Sequence, residues 1–135
     1  MTYEEMIKLA SKAKSRKKPT NDEHKMQCAC VKWFRLEYPK LKDMLFAVPN
    51  AARRSARNGE YMKDEGMLPG VADLILLKSN RFYGALCVEM KKPGKYQRPV
   101  QKEWQKECEA AGNKYVVCRS LDEFMKVITD YLNDI

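Results

Sequence analysis

Histidine is nearly absent from this chain of 135 residues, where His24 stands alone, and none of the five cysteines (28, 30, 87, 108 and 118) forms a CxxC pair. Zinc sites want paired CxxC or CxxH spacing, and a secreted disulfide scaffold wants an even number of cysteines. Neither pattern is present. Four of the five cysteines fall in apolar segments that read as helical or extended, where a reduced cysteine packs as a small hydrophobe. Long apolar runs are also lacking: nothing approaches the roughly 20 residues that cross a bilayer. The opening MTYEEMIKLASKAKSRKK is charged throughout, unlike a secretory signal. These absences lead to the expectation of an intracellular, cytoplasmic protein. With no internal repeat and no low-complexity linker, a length of 135 residues predicts one domain with a single core.

What is abundant is positive charge. The formal net charge is +8, and the cations cluster in three blocks, KLASKAKSRKK, AARRSAR and KKPGKYQRPVQK. Clustered Lys and Arg neutralise phosphates and release counterions, so a polyanionic partner is indicated.

Periodicity outlines the elements. Thr2 and Glu5 form a potential capping box for a short helix with Met6, Leu9, Ala10 and Ala13 on its apolar side. A helix from about Asp22 to Tyr38, with Thr20 and Asn21 as caps, carries Met26, Cys30, Trp33 and Phe34 at helical spacing, and Pro39 ends it. MLFAVPN (44–50) reads as a strand, and residues 51–70 as a long polar loop. ADLILLK (72–78) and ALCVEMK (85–91) read as paired strands. A helix over Pro99–Ala111, with Val100, Trp104, Cys108 and Ala111 as its stripe, stops at Gly112. KYVVCR (114–119) reads as a buried strand, and Ser120 with Glu123 cap a final helix. The order predicts a mixed α/β sandwich.

Within this outline three charges stand in or beside segments destined for the core: Asp73, Glu89 and Lys91. Strand alternation puts Glu89 and Lys91 on one face about 6.6 Å apart, with Leu86, Val88 and Met90 on the other. A hairpin connection sets the start of the first strand beside the end of the second, bringing Asp73 to Glu89. Two converging carboxylates suit a hard divalent cation such as Mg²⁺ or Mn²⁺, and a lysine beside them can stabilise charge at a phosphorus centre. A plainer reading makes Asp73 a turn cap and Glu89 and Lys91 a surface ion pair on an edge strand.

The segments PGVADLILL, ALCVEMKKPG and VQKEWQKECEAAGNKYVVC resemble the virus-type replication-repair nuclease (VRR-NUC) domain of the PD-(D/E)xK superfamily. The resemblance runs from roughly Asn21 to Arg119. It implies an α/β fold with a restriction-endonuclease-like core (αβββαβ), a mixed central sheet flanked by helices, and extra N- and C-terminal helices. It implies a division into a basic arm (1–20), a nuclease core (21–119) and a C-terminal helix (120–135). Asp73 and Glu89 would be the acidic metal ligands, joined by the Met90 backbone carbonyl, with Lys91 as the signature lysine. Gln101 would be the helix glutamine. Glu23, with Gln27 one turn later, would face the metal directly or through water. Ala72 stands where the signature usually has proline, a position that makes no bond to metal.

The loop after the first strand offers Arg53, Arg54 and Arg57 to phosphate, and Lys92, Lys95 and Arg98 extend that surface. Tyr61 and Tyr96 could stack on bases or sugars. Together these readings predict a Mg²⁺- or Mn²⁺-dependent, structure-selective DNA endonuclease; the resemblance further implies phage-encoded relatives, a role in DNA repair, and a homodimer acting on branched DNA such as Holliday junctions. The alternatives are a non-catalytic nucleic-acid-binding module that keeps the fold, and a basic protein-interaction factor.

Overall fold

The computed structural model of the chain describes residues 2–5, 22–49, 60, 61 and 63–134. At the N-terminus the capping box closes in both directions: Thr2 N–H donates to Glu5 Oε2 (3.0 Å) and Glu5 N–H donates to Thr2 Oγ1 (3.1 Å). The apolar positions 6–13, the caps Thr20 and Asn21, and the arginines Arg53, Arg54 and Arg57 lie outside the described residues.

Helix α1 (Asp22–Glu37) is followed by a 3₁₀ helix (Pro39–Met44) and strands β1 (Leu45–Ala47), β2 (Leu74–Leu76) and β3 (Leu86–Met90). Helix α2 (Pro99–Ala110), strand β4 (Lys114–Cys118) and helix α3 (Leu121–Asn133) complete the chain. This is the αβββαβ order with an added C-terminal helix. The strands line up as β1-β2-β3-β4; the first two pairings are antiparallel and β3–β4 is parallel. A parallel pair needs a crossover, and α2 supplies it.

Because β3 is central and covered on both faces, every one of its residues is buried. Leu86, Val88 and Met90 join Phe34 and Cys30 of α1 and Phe124, Ile128 and Leu132 of α3 in the main core. Cys87 faces the other way, against Cys108 of α2, Tyr115 and Ala72. The molecule is thus layered, with α1 and α3 on one side of the sheet and α2 on the other.

Several expectations need correction. The strand expected at 44–50 is confined to Leu45–Ala47, because Met44 closes the 3₁₀ turn that follows Pro39. The strand expected at 72–78 pairs only over Leu74–Leu76. Within the segment read as loop, Glu60, Tyr61, Lys63 and Asp64 are helical. On α2 the expected stripe holds at Trp104 and Cys108 but not at its ends: Val100 is 38% exposed and Ala111 lies past the helix, while Gln101, only 5% exposed, joins the buried face. Gly70 lies against the start of the helix. It sits at φ +83°, and a Cβ there would come within 2.6 Å of the Val100 carbonyl oxygen, so the first turn of α2 seats on bare backbone. At the last helix Glu123 N–H does donate to Ser120 Oγ (3.1 Å), but the returning Glu123 carboxylate accepts from Arg119 N–H (2.8 Å) instead of the cap residue.

Candidate metal centre and its surroundings

The β2–β3 hairpin brings the acidic residues together. Leu74 pairs with Val88 and Ile75 with Cys87. Continuing that register by one step sets Asp73 opposite Glu89, and opposed residues share a face. Asp73 is half-buried; Glu89 is 2% exposed. Met90 N–H donates to Asp73 Oδ2 at 2.7 Å, and Asp73 O accepts the N–H of Val48, the residue just after β1 (2.9 Å). The aspartate is therefore held at both backbone and side chain.

Burial, and then hydrogen bonding and repulsion from Asp73, push the Glu89 carboxyl up from the ordinary 4.5 to about 9; Lys91 and the Tyr115 hydroxyl oppose that rise. Desolvation and a like charge disfavour the anion together. The plainer reading, a surface ion pair on an edge strand, does not survive this placement. Glu89 is buried on a central strand, and among the described residues the ion pairs are Glu103–Lys106 and Asp130–Lys126.

Gln101 occupies one oxygen of Glu89, donating from Nε2 to Oε1 at 3.2 Å. Its own Oε1 accepts Arg98 N–H at 2.7 Å. That N–H precedes the first turn of α2 and needs an acceptor, so the amide is oriented with its nitrogen toward the carboxylate. Lys91 follows Met90 directly, half-buried, with its backbone N–H bonded to Cys118 O (3.0 Å), and alternation leaves its side chain on the face of Glu89.

Glu23 lies in the first turn of α1, and its Oε1 accepts Lys92 N–H at 3.2 Å, tying the helix to the chain just after β3. Glu23, Gln27, Asp73 and Met90 line one open cavity of about 870 Å³. Of the expected phosphate contacts, Lys95 and Arg98 are exposed and Lys92 half-buried. Arg98 also lines the small cavity shared with Asp73 and Gln101. Tyr61 and Tyr96 are exposed, and the Arg119 guanidinium lies over the Tyr96 ring at 5.7 Å.

One side chain at the centre was not singled out by sequence reasoning. Tyr115 OH donates to Glu89 Oε2 at 3.2 Å, and Gln97 Nε2 donates to that hydroxyl at 3.1 Å. The only signal was that Tyr115 interrupts an otherwise aliphatic strand, and a tyrosine there reads equally well as packing.

The oxygen-only donor set suits a hard cation. Among the described residues no group of three or more His, Cys, Asp or Glu gathers in metal-binding geometry. Asp73 and Glu89 are the facing acidic pair that this arrangement offers.

No curated protein matches the sequence. Among solved structures, one described as a "VRR_NUC domain protein" is 25% identical, covering 87% of this chain and 93% of its own, with a TM-score of 0.74. The sheet order and flanking helices agree with a restriction-endonuclease-like α/β fold. The family model of the VRR-NUC domain matches residues 10–122, which spans α1 to the start of α3 and includes Glu23, Asp73 and Glu89. By that match, this chain belongs to the VRR-NUC family of nuclease domains.

Proposed function

We propose that the chain is a metal-dependent, structure-selective DNA endonuclease that hydrolyses phosphodiester bonds in branched DNA such as Holliday junctions, using Mg²⁺ or Mn²⁺. Nuclease domains of this family act on DNA and are generally metal-dependent. The observation that supports the reading most is the buried Glu89 facing Asp73 on a central strand. Leaving such a pair uncompensated costs stability, and a cation between the carboxylates offsets it.

Asp73 and Glu89 would hold the ion. The Met90 carbonyl is a third donor: in a strand, N–H and C=O of one residue leave the backbone on the same side, and the Met90 N–H already points at Asp73. Water and substrate phosphate would complete the shell. When bound, the ion polarises the phosphodiester and acidifies water. Lys91 stabilises charge building on the phosphorus centre or orients the attacking water. Gln101 fixes the Glu89 carboxylate, and Glu23 supports the shell through water. Lys92, Lys95 and Arg98, with Arg53, Arg54 and Arg57, would hold the DNA backbone. We treat residues 1–135 as one nuclease domain, with 1–20 as a basic arm. A two-fold homodimer would present two such sites to strands of the same polarity.

A non-catalytic DNA-binding module that keeps the fold is the second reading, and the complete acidic pair followed by Lys91 argues against it. Incubation of labelled junction, flap and linear duplexes with Mg²⁺ distinguishes them. The first reading expects cleavage that Asp73→Asn and Glu89→Gln abolish while DNA binding persists; the second expects binding alone.

A further inference from the structure

Tyr115 and Gln97 have no part in the acidic constellation, yet they form its rear wall. Tyr115 lies on β4 opposite Cys87, and Val117, two residues on, lies opposite Glu89. The tyrosine therefore shares the face of Glu89 and reaches along the strand to it. Its hydroxyl has one hydrogen and two lone pairs. Gln97 Nε2 donates into the oxygen (3.1 Å) and also to Gln105 Oε1 (2.9 Å), so the hydroxyl hydrogen is committed to Glu89 Oε2 (3.2 Å). Trp104 packs against the ring with centroids 6.0 Å apart.

With Gln101 on Oε1 and Tyr115 on Oε2, each oxygen of Glu89 has a dedicated donor, and its remaining lone pairs are left for the Asp73 side. Packing alone does not require the hydroxyl, since a phenyl ring would fill the same space beside Trp104. A buried hydroxyl is costly unless it is bonded, and here its partners are a glutamine and the carboxylate. Gln97 in turn belongs to the segment that carries Lys92, Lys95 and Arg98.

We propose that Tyr115, oriented by Gln97, is a positioning residue that holds the Glu89 carboxylate in its metal-binding orientation. This rests on the reading of Asp73 and Glu89 as metal ligands. The test is Mn²⁺ affinity of the full chain by isothermal titration calorimetry, with Tm measured alongside. Tyr115→Phe should fold with a Tm near wild type and bind Mn²⁺ ~10-fold more weakly, the lower end of the range for groups that orient a ligand. Gln97→Leu should shift affinity the same way by less. Tyr131→Phe is the control: its hydroxyl donates to Lys78 O, and its ring lies in the main core on the other side of the sheet. That variant should lose Tm and keep Mn²⁺ affinity. Wild-type affinity in Tyr115→Phe, or an equal loss in Tyr131→Phe, would overturn the proposal alone. A wild-type chain that binds no Mn²⁺ would overturn the metal-site reading, and this proposal with it.

Discussion

Folding strongly disturbs Glu89. Its carboxyl is raised to about 9 by burial first and by Asp73 second. A group whose folded pKa lies above its unfolded one contributes stability below the unfolded value and loses it as pH rises through the folded value. In metal-free buffer the window therefore runs from about 4.5 to about 9. Glu89→Gln removes the titration, so with EDTA present it should melt above wild type at pH 8, and the advantage should shrink toward pH 5. A thermal melt at both values checks this; a variant less stable than wild type at pH 8 contradicts it. Glu23 is tested by a similar swap with the opposite emphasis. Its oxygen accepts Lys92 N–H, and a glutamine oxygen can do the same, so Glu23→Gln isolates the charge. We expect an unchanged Tm, a higher Mg²⁺ requirement, and cleavage at least ~10-fold slower. Full activity at low Mg²⁺ would leave Glu23 as a tether between α1 and the chain after β3. The meeting of Asp73 with Glu89 was legible in the sequence because hairpin pairing and period-two alternation are local rules. Tyr115 was not, since its meeting with Glu89 depends on a parallel register set by a whole crossover helix.

Between elements, the seat of α2 on Gly70 has the widest consequences. The backbone there is left-handed and within van der Waals reach of Val100, so Gly70→Ala combines backbone strain with a clash. Strain of that kind costs on the order of 1–3 kcal/mol, and the first turn of α2 should shift. Because Gln101 lies in that turn and donates to Glu89, the variant should lose cleavage activity beyond what its lowered Tm explains. Circular dichroism melts alongside cleavage at a temperature where both proteins are folded would show it; unchanged Tm and rate would sever the link. The same contact bears on the start of the α2 stripe, which was misread. Val100 belongs to the stripe by period, but it lies in the first turn, where its carbonyl packs on Gly70. The middle of the stripe, Trp104 and Cys108, was readable from period, and the exposure of its first residue was not.

At the scale of the whole molecule, the sheet with α1 and α3 on one side and α2 on the other is a rigid support that places acidic oxygens at the open end of the β2–β3 hairpin. The element order was legible because each helix and strand carries its own period. The 3₁₀ turn after Pro39 and the shortness of β1 and β2 were not, since they follow from how neighbouring segments meet. A net charge of +8 means that DNA affinity should fall with salt, with a log–log slope near −0.9 per phosphate neutralised. Alanine at Lys95 and Arg98 should flatten that slope without altering Mn²⁺ affinity. An unchanged slope would remove these residues from the DNA surface. The most direct test of the central claim, a two-carboxylate metal site that cuts branched DNA, is single-turnover cleavage of a labelled four-way junction in a Mg²⁺ titration. The account predicts metal-dependent incision by wild type, none by Asp73→Asn or Glu89→Gln, and retained junction binding by both variants. Incision that persists in either variant, or a wild type that binds the junction and never cuts it at any Mg²⁺ concentration, would contradict it.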